Sequence, residues 1–332
     1  AAYADRAMDG TKFQRESYNL ALEQALGSHT LNLQGYYHYI DHVMDNFSLR
    51  PAMPNRYNIS NPKREIIGTK AEIKLNFDTI TTYIGGSYRE DKHSSRMTQN
   101  AINATEARNT LFSKNYNKNA LISTSSVFTQ SEYLSEDYGV FGGIRLDRVE
   151  IDKYLAGRFD RSKIQTPISG FMRYERYFDT LSLYAGVGRA ERASDFWELQ
   201  KVDGMSLKTE KNHQIDLGTI YDNGNLSLST NLFVSKIDDY IILNYNGATS
   251  SFNTDALLMG GEIDANILIN NFYKLGAGLS YVYGENLKDT NGLKDGDPLP
   301  QISPLVFKVV AGLVRNEWFV DLDFYANASQ HR

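Results

Sequence analysis

Apolar and polar residues alternate with period two along most of this chain. In 225–235, Leu226, Leu228, Leu232 and Val234 share one face, and Ser227, Ser229, Asn231 and Ser235 the other. In 261–270, Ile263, Ala265, Ile267 and Ile269 alternate with Glu262, Asp264, Asn266 and Asn270. In 317–326, Trp318, Val320, Leu322 and Phe324 alternate with Asp321 and Asp323. Successive strand residues point to opposite faces, so each segment is a strand with one apolar and one acidic or amide face. The connections alternate too. Tight reversals are expected near Gly27-Ser28, Asp78-Thr79, Ser135-Glu136, Asp179-Thr180, Asp222-Asn223-Gly224, Asn270-Asn271 and Arg315-Asn316, and long polar stretches near 42–63, 91–118, 154–165, 191–207, 246–254 and 285–303. Antiparallel strands that reverse tightly at one end and loosely at the other describe an outer-membrane β-barrel, with short periplasmic turns and long outer loops.

A soluble sandwich or β-helix would show the same periodicity, with its apolar face in a core. Strand length separates the two: many segments here run to ten or more residues, whereas globular strands average about five or six and tilted membrane strands need about nine to eleven. About fourteen strands in seven hairpins are expected, forming one continuous structure over residues 1–332, since no linker or charge run divides the chain.

Composition agrees once the barrel is assumed. A mean hydropathy of -0.44 and 23% charged residues fit a barrel whose lumen and loops are polar. The 22 Tyr and 16 Phe suit aromatic girdles at the membrane interfaces. A net charge of -5 without a basic cluster argues against a nucleic-acid partner. The absence of Cys rules out disulfides and thiolate ligands within this sequence. Ala1-Ala2-Tyr3-Ala4-Asp5-Arg6 has no apolar signal region, and the chain stops at Ser329-Gln330-His331-Arg332 rather than on an aromatic-ended strand, so it reads as a fragment.

No Gly-x-Ser-x-Gly, P-loop, dinucleotide fingerprint or His-Glu-x-x-His is present, and an enzyme is not expected. One constellation carries chemistry: His42-Val43-Met44. On the preceding strand Asn32, Gln34, Tyr36, His38 and Ile40 form the even-numbered face, which His42 and Met44 continue. Without a bulge, both side chains point into the lumen at adjacent same-face positions. An imidazole beside a thioether is a soft-leaning pair, and thioether ligation selects copper, Cu(I) above all. The pair equally fits a His and a Met that merely sit near a loop mouth. Met53 is a further thioether in the same loop, between prolines, with its direction open; Met8 precedes a turn expected at Asp9-Gly10 and Met97 lies near His93 in a long loop, and these two read as incidental. Phe196-Trp197-Glu198 reads as an interfacial or loop anchor rather than a ligand clamp. Asp238, Asp239, Asp321 and Asp323 read as lumen or rim carboxylates, balanced by Arg173, Arg176 and Arg189.

Two stretches carry a family resemblance. Glu191-Arg192-Ala193-Ser194-Asp195-Phe196-Trp197-Glu198-Leu199 followed by Leu207-Lys208-Thr209-Glu210-Lys211-Asn212-His213-Gln214-Ile215-Asp216-Leu217-Gly218 resembles the barrels of TonB-dependent outer-membrane receptors. Asp238-Asp239-Tyr240-Ile241, Gly260-Gly261-Glu262-Ile263 and Leu299-Pro300-Gln301-Ile302-Ser303-Pro304 are similar to later strands and a loop of that family. Ala4-Asp5-Arg6-Ala7-Met8-Asp9-Gly10-Thr11-Lys12-Phe13 and Tyr39-Ile40-Asp41-His42-Val43-Met44-Asp45-Asn46-Phe47-Ser48-Leu49-Arg50 narrow the resemblance to the TonB-dependent copper receptors. The resemblance implies part of a 22-stranded transmembrane antiparallel β-barrel without its plug, sitting in the bacterial outer membrane among lipid and lipopolysaccharide. It implies copper, Cu(I) or Cu(II), as the imported ligand, energy coupling through TonB–ExbB–ExbD, and His42 and Met44 as barrel ligands, with a Cys-x-x-x-Met supplied by the plug. A siderophore or metal-chelate receptor and a passive porin-like barrel are the alternatives.

Overall fold

The computed structural model describes residues 8–49, 51, 55–201, 203–244, 250–270, 272–315 and 317–329. They form one antiparallel sheet. In chain order its strands are β1 (Asp9–Leu26), β2 (His29–Asp45), β3 (Tyr57–Phe77), β4 (Ile80–Ala101), β5 (Asn117–Leu134), β6 (Tyr138–Leu155), β7 (Arg158–Gln165) and β8 (Ile168–Phe178). They continue as β9 (Leu181–Arg192), β10 (Glu210–Asp222), β11 (Leu226–Asn244), β12 (Ser250–Ile269), β13 (Tyr273–Asn286), β14 (Val306–Arg315) and β15 (Trp318–Asn327). Fourteen follow one another around the sheet in sequence order, and β7 alone lies off that path, paired only to β6. Two helices interrupt the long connections: α1 (Ala104–Ser113) after β4, and α2 (Phe196–Leu199) after β9. Among the described residues β1 and β15 do not pair with each other, so the sheet is an open portion of a wall.

The expected short reversals from Gly27-Ser28 to Asp222-Asn223-Gly224 stand where the sequence places them, while Asn271 and Asn316, on which the last two fall, lie outside the described residues; at Gly27 φ is 66°, a value the tight β1–β2 turn demands and glycine adopts without strain. The long polar stretches differ. Much of 91–118 and all of 158–165 are strand, because main-chain ladders continue upward even where the side chains turn polar. Asp9-Gly10 is not a turn either, but the start of β1, with the register shifting between Gly10 and Lys12.

The two faces of the wall are unlike. On β3 the residues 67–75 present Ile67, Ala71, Ile73 and Leu75 to one side and Lys70, Glu72 and Lys74 to the other. Register carries this division around the sheet: Leu217 opposes Leu232, while Asp216 opposes Phe233 and Gln214 opposes Ser235. The apolar face ends at a ring of polar groups, Glu65, Glu90, Arg148, Arg189, His213 and Lys236, each two positions above the last outward apolar or aromatic residue of its strand. The nine residues 67–75 match the about nine to eleven that a tilted strand needs to cross a bilayer. That face is the lipid face.

Three small apolar clusters sit above the band. Val43, Ile59 and Ala101 receive Ala107 and Leu111 of α1, so the β4–β5 connection packs on the outer side of the wall. Val149 and Ile151 receive Leu199, and Phe196 stacks on His93 of β4 at 3.7 Å between ring centroids. Three strands separate β4 from β9, so this contact is a chord across the concave side; the 193–207 connection folds inward. On the same inner face, rings lie over cross-strand glycines that leave room for them, as Tyr36 does over Gly68 and Tyr184 over Gly218.

Candidate functional site

The wall at His42 and Met44 is built from β1, β2 and β3. Register with β3 runs unbroken on either side of this stretch, Asp41 opposing Lys63 and Met44 opposing Ser60. With no bulge, His42 and Met44 therefore share the inner face with Tyr36, His38 and Ile40, as the alternation predicts. The Phe13 ring of β1 stacks on the His42 imidazole, centroids 5.9 Å apart and planes 12° from parallel. Met44 lies opposite Gly10 on one side and Ser60 on the other.

Behind this pair, on the outer side, a packed polar layer holds the strand. Asn61, 1% exposed, donates from Nδ2 to the Asp41 carboxylate (2.5 Å) and to the His42 carbonyl (2.9 Å). Its Oδ1 accepts from Arg96 Nε (3.0 Å) and from the Tyr116 hydroxyl (2.6 Å). Asp41 also pairs with Lys12 at 2.9 Å, and Lys63 Nζ stands 5.3 Å from the Tyr39 ring centroid and 5.4 Å from that of Tyr116. A buried amide with every hydrogen-bonding group engaged fixes the backbone beneath the imidazole. This level is above the outward apolar band. Burial pushes the His42 imidazole below its ordinary value, with the neighbouring Asp41 charge opposing, which favours the neutral, metal-binding form. Burial alone would raise Asp41; the bonds from Lys12 and Asn61 outweigh it and bring the carboxyl down.

Asn61, Asp41 and Phe13 escape a reading of the sequence because their roles depend on cross-strand register. Met97 does not lie in a loop: it is on β4, opposite Ser60, so Met44, Ser60 and Met97 form one row across three strands. Met53 and the residues 1–7 fall outside the described residues. Among the described residues, no group of three or more His, Cys, Asp or Glu side chains could hold a metal ion. Of the other charged residues, Asp321, Asp323 and Arg173 face inward as expected. Arg176, Arg189 and Asp238 face outward instead: Arg176 opposes Tyr138, Arg189 opposes His213, and Asp238 pairs with Lys236 at 3.2 Å. Their positions are one residue out of phase with the inner rows, which register alone reveals. Phe196-Trp197-Glu198 is a loop anchor, being α2 itself. Asp195 caps it, and Glu198 reaches back to the Asp195 N–H (2.7 Å) while gripping Arg192 at 3.0 and 2.9 Å.

A curved antiparallel wall, apolar outside and charged inside, extended above the lipid band with one connection folded inward and another packed outside, defines an outer-membrane β-barrel. The chain belongs to the TonB dependent receptor-like, beta-barrel family, whose sequence profile matches residues 1–331. Among solved structures it is similar to the copper transporter OprC, at 28% identity and a TM-score of 0.87 over 98% of this chain and 54% of that one. The ferric citrate transporter FecA in its unliganded form shares 15% identity with a TM-score of 0.73 over 94% of this chain and 48% of that one. The ferric-catecholate import receptor Fiu of E. coli K12 shares 12% with a TM-score of 0.64, covering 92% and 52%. The chain thus spans about half the length of each of these structures. The likeness to FecA and Fiu is one of fold. No curated protein sequence matches the chain.

Proposed function

We propose that this chain is the greater part of the barrel wall of a TonB-dependent receptor that binds copper ions and imports them across the bacterial outer membrane. His42 and Met44 are the stationary ligands, copper is the cargo, and further ligands come from a plug. The observation that carries the reading is the His-x-Met pair on the inner face, above the lipid band, in a wall 28% identical to a copper transporter over nearly its whole length. Import needs a site that is tight outside and released inside. A wall anchored through Asn61 cannot supply that change by itself, so release falls to a movable plug drawn by TonB–ExbB–ExbD. Splitting the ligand set between wall and plug lowers affinity when the plug moves, and one imidazole and one thioether left on the wall hold the ion weakly.

The test is metal content by mass spectrometry of the full-length receptor from copper-supplemented cells, beside a His42→Ala/Met44→Ala variant. Near-stoichiometric copper that the variant loses supports the proposal. Copper retained by the variant refutes His42 and Met44 as its ligands, and copper absent from the wild type refutes the copper reading and points to a metal chelate or siderophore as cargo.

A further inference from the structure

The upper half of β6 pairs with β7, and its lower half pairs with β8. Among the described residues no strand continues from β7 toward β9, so the wall has a window above β8, between the free edge of β7 and the upper end of β9, where β10 begins. A cavity of about 960 Å³ fills this window. It is lined by Lys153, Arg161, Lys163, Lys201, Lys208 and Lys211.

Three carboxylates share the lining, Asp160, Glu191 and Asp203; Asp160 pairs with Arg161 at 3.0 Å, and Glu191 with Arg189. Lys208 and Lys211 reach Asp239, at 3.2 and 3.8 Å. Lys153 and Lys163 differ from the rest. Among the described residues they bond to neutral main-chain carbonyls, Lys153 to Leu199 at 2.9 Å and Lys163 to Met205 at 3.2 Å and to Leu207. Burial pushes the Lys163 amine below its ordinary value, with no carboxylate offsetting it. A half-buried cation without an anion is costly, and wall-building alone does not require two of them lining one cavity.

The geometry gives the window a direction. Lys163 and Gln165 belong to the inner-face row of β7, and their bonds to the 205–207 main chain close the lumen side. Ser162, Ile164, Glu191 and Lys211 belong to outer-face rows and form the outward rim. Glu191 and Lys211 lie above the last outward apolar residues of their strands, Val187 and Ile215, at headgroup height. We propose that this window is a binding site for a phosphate-bearing ligand, entering from the outer side of the wall. The amines of Lys153 and Lys163 form its base, and Lys208 and Lys211 form the rim that draws the anion in. Both a phosphorylated headgroup of the outer leaflet and a free phosphate have this chemistry; the outward opening at headgroup height favours the first. The site is separate from His42 and Met44, and its test does not depend on copper.

The experiment is native mass spectrometry of the full-length receptor, exchanged into clean detergent and titrated with diphosphorylated lipid A, with enzymatically dephosphorylated lipid A, and with inorganic phosphate. Lys153→Gln/Lys163→Gln is compared with the exposed Lys208→Glu variant, and heat-resistant migration confirms that each is folded. Binding of the phosphorylated lipid alone, weakened at least tenfold in both variants, supports the site with a lipid occupant. Binding of inorganic phosphate with the same losses supports it with a soluble one. No binding of either probe, equal binding of the dephosphorylated lipid, or affinities unchanged in Lys208→Glu would overturn it.

Discussion

Replacing Glu198 with Ala should free the inward-folded connection 193–207 while leaving the sheet intact. Glu198 is 6% exposed and takes two bonds from the Arg192 guanidinium, at 3.0 and 2.9 Å, and one from the Asp195 N–H at 2.7 Å. Breaking a buried pair by removing one partner costs about 3–5 kcal/mol. Here Arg192 keeps its bond to Glu210 at 3.0 Å and remains 44% exposed, so water recovers part of the loss. About 2–3 kcal/mol is the net expectation, most of it from the abandoned Asp195 N–H and the lost carboxylate–guanidinium pair. At about 1.4 kcal/mol per factor of ten, amides of the connection should exchange with solvent roughly 30- to 150-fold faster. The assay is hydrogen–deuterium exchange of the full-length receptor in detergent, read on peptides covering 193–207 and on β9 and β10 as internal references. Glu198→Gln retains a side-chain acceptor for the cap and should show a smaller rise. Acceleration under threefold, or acceleration shared equally by β9 and β10, would show that Glu198 does not anchor the connection and would refute the argument.

Met44→Ala should weaken Cu(I) binding more than Cu(II) in competition titrations, because the thioether prefers the softer ion; equal losses would count against Met44 as a ligand. Asn61→Leu should lower copper affinity by about tenfold with His42 and Met44 intact, as loss of an outer-shell anchor does, and unchanged affinity would remove Asn61 from the site. Leu232→Lys places a charge on the lipid face and should cost about 2–4 kcal/mol near the bilayer midplane, seen as reduced outer-membrane assembly, whereas Asn231→Lys on the inner face should assemble normally. The Asp91 carboxyl, above the lipid band, gives a pH dependence. Burial would raise it, but bonds from Arg64, with His93 and Arg89 alongside, hold it well below the ordinary carboxylate range. A folded value below the unfolded one means the stabilisation is complete above about pH 4 and is lost as pH falls further. The melting-temperature gap between wild type and Asp91→Asn should therefore hold from pH 7 to 5 and shrink below 4.

Period-two alternation determined the strands, their short turns and the two-faced wall, because a strand's side-chain geometry is local and needs no knowledge of its neighbours. It likewise placed His42 and Met44 on one face. What sequence could not supply was register. Whether Arg189 looks into the lumen or toward the outside turns on a single-residue phase, and only the pairing of β9 with β10 sets it. The same holds for Asn61, whose four bonds reach β2, β4 and the approach to β5. The polar stretch 158–165 looked like loop because its side chains are hydrophilic, yet its main chain pairs with β6 and opens the basic window beside it. Local chemistry fixes which way each side chain can point; only the assembled wall decides which side chains meet.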